Sequence, residues 1–307
     1  MPALALVFNA LVWGVSWFPF RQIEAHGLHP VWATALIYVF ITLAISWLRR
    51  QAWQAFATWP GLVLLGLAAG LTNVGFNWAV TQGDVVRVVL LFYLMPLWSV
   101  LLAWIFLGER PRPAALARMA LALAGVAVVL KTPETDWPVP ASLPDWLGVA
   151  AGFCFAVTNI VLRRLRAAPG ESRAIAMFSG CALVASLAAA AGTALGVIAP
   201  PPLQPSMTQG WAGWAGWAAL LGAGFVFANI CLQYGAARLA ASATAVLMLS
   251  EVLFASVSSV ALGAASLDGR IWAGGALIVL AALWSSFART NGGEDDRHSG
   301  ILENKPS

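Results

Sequence analysis

Charge is what this chain most lacks. Asp, Glu, Lys and Arg make up only 10% of its 307 residues, against about 25% in a soluble domain. Hydrophobic residues make up 60%, so there is too little polar material to cover a water-facing surface. Cysteine is scarce too. Cys154, Cys181 and Cys231 lie too far apart for a metal motif and imply no disulfide framework. The three histidines, His26, His29 and His298, fall in a loop and in the tail. With no cluster of His, Cys and carboxylates inside the apolar runs, an intramembrane hydrolase or metalloenzyme is disfavoured. No catalytic residue, metal or cofactor is expected. The net charge of +4 forms no basic stripe, so no nucleic-acid partner is expected either.

What the chain does have is long apolar runs. Ten can be counted: 3–20, 31–48, 60–81, 85–107, 114–131, 146–165, 174–198, 213–237, 242–264 and 271–288. Most reach the ~18–20 residues that cross a ~30 Å hydrocarbon core as helix. The lipid bilayer is therefore the expected environment, and the fold class is an all-α membrane protein with ten transmembrane helices. The first run lacks a positively charged leader and is read as a retained helix.

Basic residues fall mostly on one side. With the N-terminus inside, thirteen lie at inner loops or ends: Arg49, Arg50, Arg110, Arg112, Arg118, Arg163, Arg164, Arg166, Arg173, Arg238, Arg289, Arg297 and Lys305. Only Arg21, Arg87, Lys131 and Arg270 lie outside. That bias puts both termini in the cytoplasm of a multi-pass protein.

Polar residues inside the runs are few. The first run carries Asn9, Trp13, Trp17 and Phe20 on one helical stripe, with Pro19 able to loosen its outer end. The third carries Gly66, Gly70, Asn73 and Asn77 on one stripe, with Trp78 beside it. Gly66-xxx-Gly70 permits close backbone approach to a neighbour, and the two amides can serve as interhelical glue or line a cavity. Gly83–Asp84 makes a tight turn into the fourth run, where Pro96 frees a carbonyl and permits a kink. The ninth run holds Glu251, the one acid of thirteen that falls deep inside a run. A carboxylate there costs ~2.5–3.5 kcal/mol on insertion scales, which marks it as a functional residue. It can pair with a substrate ammonium, carry a coupling proton, or act as a structural carboxyl bonded to a neighbouring helix.

The runs also repeat. A shift of 156 sets Gly66 on Gly222, Asn73 on Asn229, Asn77 on Gln233 and Trp78 on Tyr234. A shift of 142 sets Trp13 on Phe155 and Arg21 on Arg163. The units are then 1–131 and 146–289, joined by a Pro-rich outer linker at 132–145 and followed by a disordered cytoplasmic tail at 290–307. An odd number of helices per unit makes the second copy enter from the opposite side. Two inverted five-helix repeats are typical of secondary transporters.

One stretch carries a family resemblance. Tyr93 to Arg110 holds a mid-helix Pro96 and an apolar run ending Leu107–Gly108–Glu109, and the first run contains Trp13–Gly14. These features resemble the drug/metabolite transporter superfamily of EamA type, and within it the bacterial exporters of aromatic amino acids. The second repeat departs from the pattern: the proline position falls at Glu251–Val252, and Ala264 replaces the acid of the LGE triplet. The resemblance implies ten helices, a bacterial inner (plasma) membrane location, and export of amino acids and some cationic drugs.

A site can be drawn up on that basis. Trp13, Trp17, Trp78, Tyr93, Phe155 and Tyr234 would give a central cavity an aromatic surface suited to flat or cationic cargo. Asn73, Asn77, Asn159, Asn229 and Gln233 would meet the carboxylate and ammonium of a zwitterion. Glu251 would bind the ammonium or serve as proton site, and Pro96 would act as gate or hinge. A nucleotide-sugar carrier is disfavoured because no Lys or Arg lies mid-run, and a channel because no charged ring or carbonyl filter is present.

Overall fold

The computed structural model describes residues 1–107, 113–130, 140–165, 167–201, 212–236, 247–248, 250–264, 269–270, 272–281 and 284. The expectations that rest on Gly108–Glu109, on most of the linker and on the tail lie outside them. Every regular element among the described residues is helical.

The first run gives two helices, α1 (Pro2–Val15) and α2 (Trp17–Ala25), separated at Ser16, whose backbone angles stay helical. Pro19 has no N–H for the Val15 carbonyl, so the helix breaks one turn before the proline. At the interruption the Trp13 carbonyl accepts from both the Ser16 hydroxyl at 2.8 Å and the Ser16 N–H at 3.2 Å. The second run is α3 (Pro30–Leu48), started by Pro30 and capped by the His29 ring, which accepts from the Val31 N–H. The third is α4 (Gly61–Gln82).

The fourth run is interrupted at Tyr93–Leu94, between α5 (Val85–Phe92) and α6 (Met95–Leu107). Pro96 cannot donate to the Phe92 carbonyl four residues back, and the interruption follows from that. Helix α7 (Pro113–Leu130) is followed by α8 (Leu143–Arg164), α9 (Gly170–Ala194), α10 (Ala212–Ala236), α11 (Ser250–Ala261) and α12 (Trp272–Ala281).

Among the described residues six segments are long and apolar enough to cross a membrane: Pro2–Ala25, Pro30–Leu48, Gly61–Gln82, Leu143–Leu162, Gly170–Ala194 and Gly213–Leu232. The fourth run drops out of that set because its break divides it into two short helices.

Glycine sets how closely the helices approach. A side chain on Gly66 would lie 2.6 Å from the Ala176 carbonyl, and one on Gly70 would lie 2.6 Å from the Gly180 carbonyl. A side chain on Gly180 would overlap the Gly66 backbone itself. The Gly66-xxx-Gly70 stripe thus meets α9, as a close-packing motif should. Gly14 brings α1 onto α11, where an added carbon would lie 2.7 Å from Phe254 and 2.8 Å from the Glu251 carbonyl. Gly152 brings α8 onto the Phe92 carbonyl at the interruption.

These approaches divide much of the bundle into two groups. One holds α1 against α10 and α11. The other holds α8 against α4, α5 and α6. Helix α9 packs on α3 and α4.

An ion pair with its carboxylate buried and its guanidinium partly exposed fixes the second group at one end. Arg87 on α5 donates from Nε and Nη2 to the two carboxylate oxygens of Asp145 on α8, each at 2.9 Å. The Ala141 N–H also donates to Asp145, and Asp84 caps α5 by accepting from the Arg87 N–H. A side chain on the preceding Gly83 would lie 2.6 Å from Pro144. Removing one partner of a buried pair leaves the other charge uncompensated, a cost of about 3–5 kcal/mol. Arg87→Gln alone should therefore lower the melting temperature in detergent sharply, and Arg87→Gln with Asp145→Asn should recover part of the loss. A thermal melt of the three proteins checks this.

Candidate functional site

A chain of aromatic rings crosses the bundle and ends at Glu251. Phe178 on α9 lies 6.0 Å from Tyr38 on α3, and Tyr38 stacks on Phe225 of α10 at 6.0 Å. Phe225 stacks on Trp13 of α1 at 4.6 Å, and Trp13 meets Phe76 of α4 edge-on at 6.5 Å. Phe76 lies 4.9 Å from Phe92 of α5, which is 5.5 Å from Phe155 of α8 and 5.9 Å from Tyr93. Offset and edge-to-face geometries at these distances are the favourable ones, about 0.5–1.5 kcal/mol per pair beyond burial.

Tyr93 sits at the interruption between α5 and α6, where the chain leaves the helix. Its hydroxyl donates to Glu251 Oε2 at 3.0 Å and also approaches the Met248 carbonyl at 3.2 Å. Glu251 is 6% exposed and Tyr93 is 3% exposed. Among the described residues Tyr93 is the one donor to this carboxylate. A hydrogen bond to a charged group contributes about 1.5–3 kcal/mol, whereas moving a carboxylate out of water costs several. One phenol does not offset that for an ionised acid with about four acceptor sites. The arrangement suits a carboxyl that takes on a further partner, either a cation or a proton.

Trp17 adjoins this region. Its ring is buried, and its Nε1 donates to Ser258 Oγ on α11 at 2.9 Å. Trp13, Trp17, Tyr93, Phe155 and Glu251 therefore share one core, with Trp13 and Phe155 partly buried at its edge.

Two of the amides go elsewhere. Asn73 accepts from the Tyr38 hydroxyl at 2.6 Å and donates to the Ala69 carbonyl. Asn77 is fully buried and donates to Thr34 Oγ1 at 3.2 Å. Both thus tie α4 to α3, and the Asn77 Oδ1 has no partner among the described residues. Trp78 packs with Val31, Ala35 and Ala189, with its ring 5.3 Å from His29. Asn159 is half-buried on α8, and Asn229 is half-buried on α10. Tyr234 is 40% exposed. The side chains of Gln233 and Pro96 lie outside the described residues.

Several members of the aromatic chain carry no polar signal and are missed in the sequence: Phe76, Phe92, Phe178 and Phe225. Tyr38 was legible in principle, since a tyrosine inside an apolar run needs a partner for its hydroxyl. Among the described residues no group of three His, Cys, Asp or Glu could hold a metal ion.

Comparison with known proteins gives the following. The model of the EamA-like transporter family matches residues 1–131. Protein RarD of Salmonella typhimurium is 28% identical over 174 residues, 53% of this chain and 54% of that protein. The chloramphenicol-sensitive protein RarD of Pseudomonas aeruginosa is 33% identical over 110 residues, 34% of this chain and 36% of that protein. A Vibrio cholerae protein described as an uncharacterized transporter is 27% identical over 127 residues, 39% and 42% of the two chains. The chain spans about half the length, or less, of the relatives it matches. A solved crystal structure covers 94% of this chain and 96% of its own, with a TM-score of 0.56 and 20% identity, so the two share a fold.

Proposed function

We propose that this chain is an inner-membrane secondary transporter of the EamA type, which exports amino acids, aromatic ones in particular, by alternating access. The observation that carries the reading is the buried Tyr93–Glu251 hydrogen bond at the end of a chain of aromatic rings. Rings stack on flat cargo, and the carboxylate meets its ammonium. The match of residues 1–131 to a transporter family and the Vibrio cholerae relative support transport as the class.

The packing supports a ten-helix inverted repeat. Number the ten apolar runs in order and exchange each with the one five places on. The first run packs on the eighth and ninth (α1 on α10 and α11), and the sixth packs on the third and fourth (α8 on α4, α5 and α6). The third packs on the seventh (α4 on α9), and the eighth packs on the second (α10 on α3). The second packs on the seventh (α3 on α9), and the fourth on the ninth (α5 on α11), each of which the exchange returns to itself. Among the described residues each of these pairings between halves thus has its exchanged counterpart, as a two-fold axis in the membrane plane requires. The excess of arginines at one set of ends supports cytoplasmic termini.

A second reading is an efflux carrier for drugs or other metabolites, and the name of the Pseudomonas aeruginosa relative, chloramphenicol-sensitive protein, makes chloramphenicol a compound to try. Growth separates the two. Cells overproducing the chain should tolerate a toxic aromatic amino-acid analogue that arrests control cells. Tolerance of cationic dyes or chloramphenicol, with unchanged sensitivity to the analogue, would favour the second.

A further inference from the structure

We infer that Arg21 is a releasable latch that holds one mouth of the bundle closed by joining the two helix groups across their seam. Arg21 lies on α2, the continuation of α1, in the group that contains α10 and α11; Phe18 beside it packs on Trp217 of α10 at 5.8 Å. Its guanidinium reaches the other group. Nε donates to the Thr81 carbonyl at 3.0 Å, and Nη2 donates to the Gly83 carbonyl at 2.6 Å and the Val80 carbonyl at 3.5 Å. These carbonyls end α4, where helix C=O groups have no partner of their own and the helix dipole favours a cation. The guanidinium also sits 5.0 Å over the Trp17 ring.

The contrast with Arg87 shows why this contact releases and that one holds. Arg87 and Asp145 join α5 to α8 inside a single group, with a full charge on each side and glycine-close backbones beneath. Arg21 crosses between groups. Among the described residues it has no ion-pair partner, and its acceptors are neutral carbonyls and a ring. Moving away from them breaks no ion pair among the described residues; the Asp84 and Glu24 carboxylates attract the guanidinium from nearby without bonding it. A second tie runs alongside, from Gln82 Nε2 to Glu24 Oε1 at 3.0 Å, between the same two helices and at an exposed site. Beneath Arg21, Trp17 is held by Ser258 and shares a core with Ala79, Val80, Val85, Val86, Val88 and Val89. Opening this mouth requires α2 to part from the end of α4, and among the described residues Arg21 makes most of the hydrogen bonds that must yield there.

The inference rests on the alternating-access reading, but its test needs no cargo, so the two fail separately. In a chain with Cys154, Cys181 and Cys231 replaced by alanine, Ala79→Cys is a reporter beneath the latch, and Ala185→Cys, buried between α9 and α3, is a control. A membrane-impermeant maleimide is added to intact vesicles of each orientation. Arg21→Gln should speed labelling at Ala79→Cys about ten-fold from one side, since charge-assisted hydrogen bonds are lost. Arg21→Lys should restore part of the protection, and the Ala185→Cys control should stay unlabelled. Unchanged labelling at Ala79→Cys overturns the inference. Labelling at both positions also overturns it, because Arg21 would then be a structural cap without which the bundle loosens.

Discussion

Glu251→Gln should lower transport about ten-fold or more while the protein still inserts and folds. The amide keeps the size of the carboxyl and can still accept from the Tyr93 hydroxyl, so the 3.0 Å contact survives. What is lost is the charge. Glu251 is buried against α1 and α5, and among the described residues it meets one hydroxyl donor. Replacing a buried, under-compensated acid with a neutral isostere is neutral or stabilising when the acid has no structural partner to strand. Melting temperature should therefore hold or rise as flux falls. The opposite pair, unchanged flux with a lower melting temperature, would make Glu251 a structural carboxyl. Tyr93→Phe keeps the ring and removes the donor. Its expected effect is smaller, bounded by the roughly 1.5–3 kcal/mol of one hydrogen bond to a charged group.

Gly180→Leu should prevent the protein from folding. A side chain there would overlap the Gly66 backbone, so relief comes only by separating α4 from α9. Overpacking costs typically 1–3 kcal/mol when side chains can yield. Here the obstacle is main chain, so the cost lies above that range. Separation would also pull Gly70 from Gly180 and disturb the Tyr38–Asn73 bond nearby. The expected readout is loss of the monodisperse peak in size-exclusion chromatography of detergent extracts. Gly216→Ala is the control: nothing lies within 4 Å of an added carbon there, so that variant should behave as wild type. A well-behaved Gly180→Leu protein would mean that α4 and α9 are not packed backbone to backbone.

How much of this was legible beforehand differs from residue to residue. Gly66-xxx-Gly70 carries its own explanation, because two small residues on one helical face signal close approach whatever the partner. Glu251 was legible for a similar reason: an acid in an apolar run is conspicuous. The proline breaks were legible as breaks, but at Pro19 the interruption lies back at Ser16, since the missing N–H acts on the preceding turn. Asn73 and Asn77 left glue and cavity lining open, and their bonds to Tyr38 and Thr34 run toward α3.

Pairings over long sequence distances were not legible. Tyr93 and Glu251 were each conspicuous, yet nothing local in the chain indicates that residues 158 apart share a hydrogen bond. Arg87 reads as a charge at the outer end of the fourth run and Asp145 as the last residue of the linker, and only the packing of α5 on α8 makes them an ion pair. The phenylalanines of the aromatic chain are invisible for another reason. In a chain 60% hydrophobic, a Phe that faces the core and a Phe that faces lipid look alike. Phe225 is 2% exposed and Phe227 is 55% exposed, two residues apart on α10.

The central claim is that the aromatic chain and Glu251 form a cargo site. The most direct test is uptake of labelled tryptophan into proteoliposomes holding wild type or Glu251→Gln, with and without a pH gradient, competed by unlabelled phenylalanine. The account predicts saturable uptake by wild type, competition by phenylalanine, and a large loss in Glu251→Gln. Equal uptake by the two proteins, or none above empty liposomes while cationic dyes are carried, would contradict it.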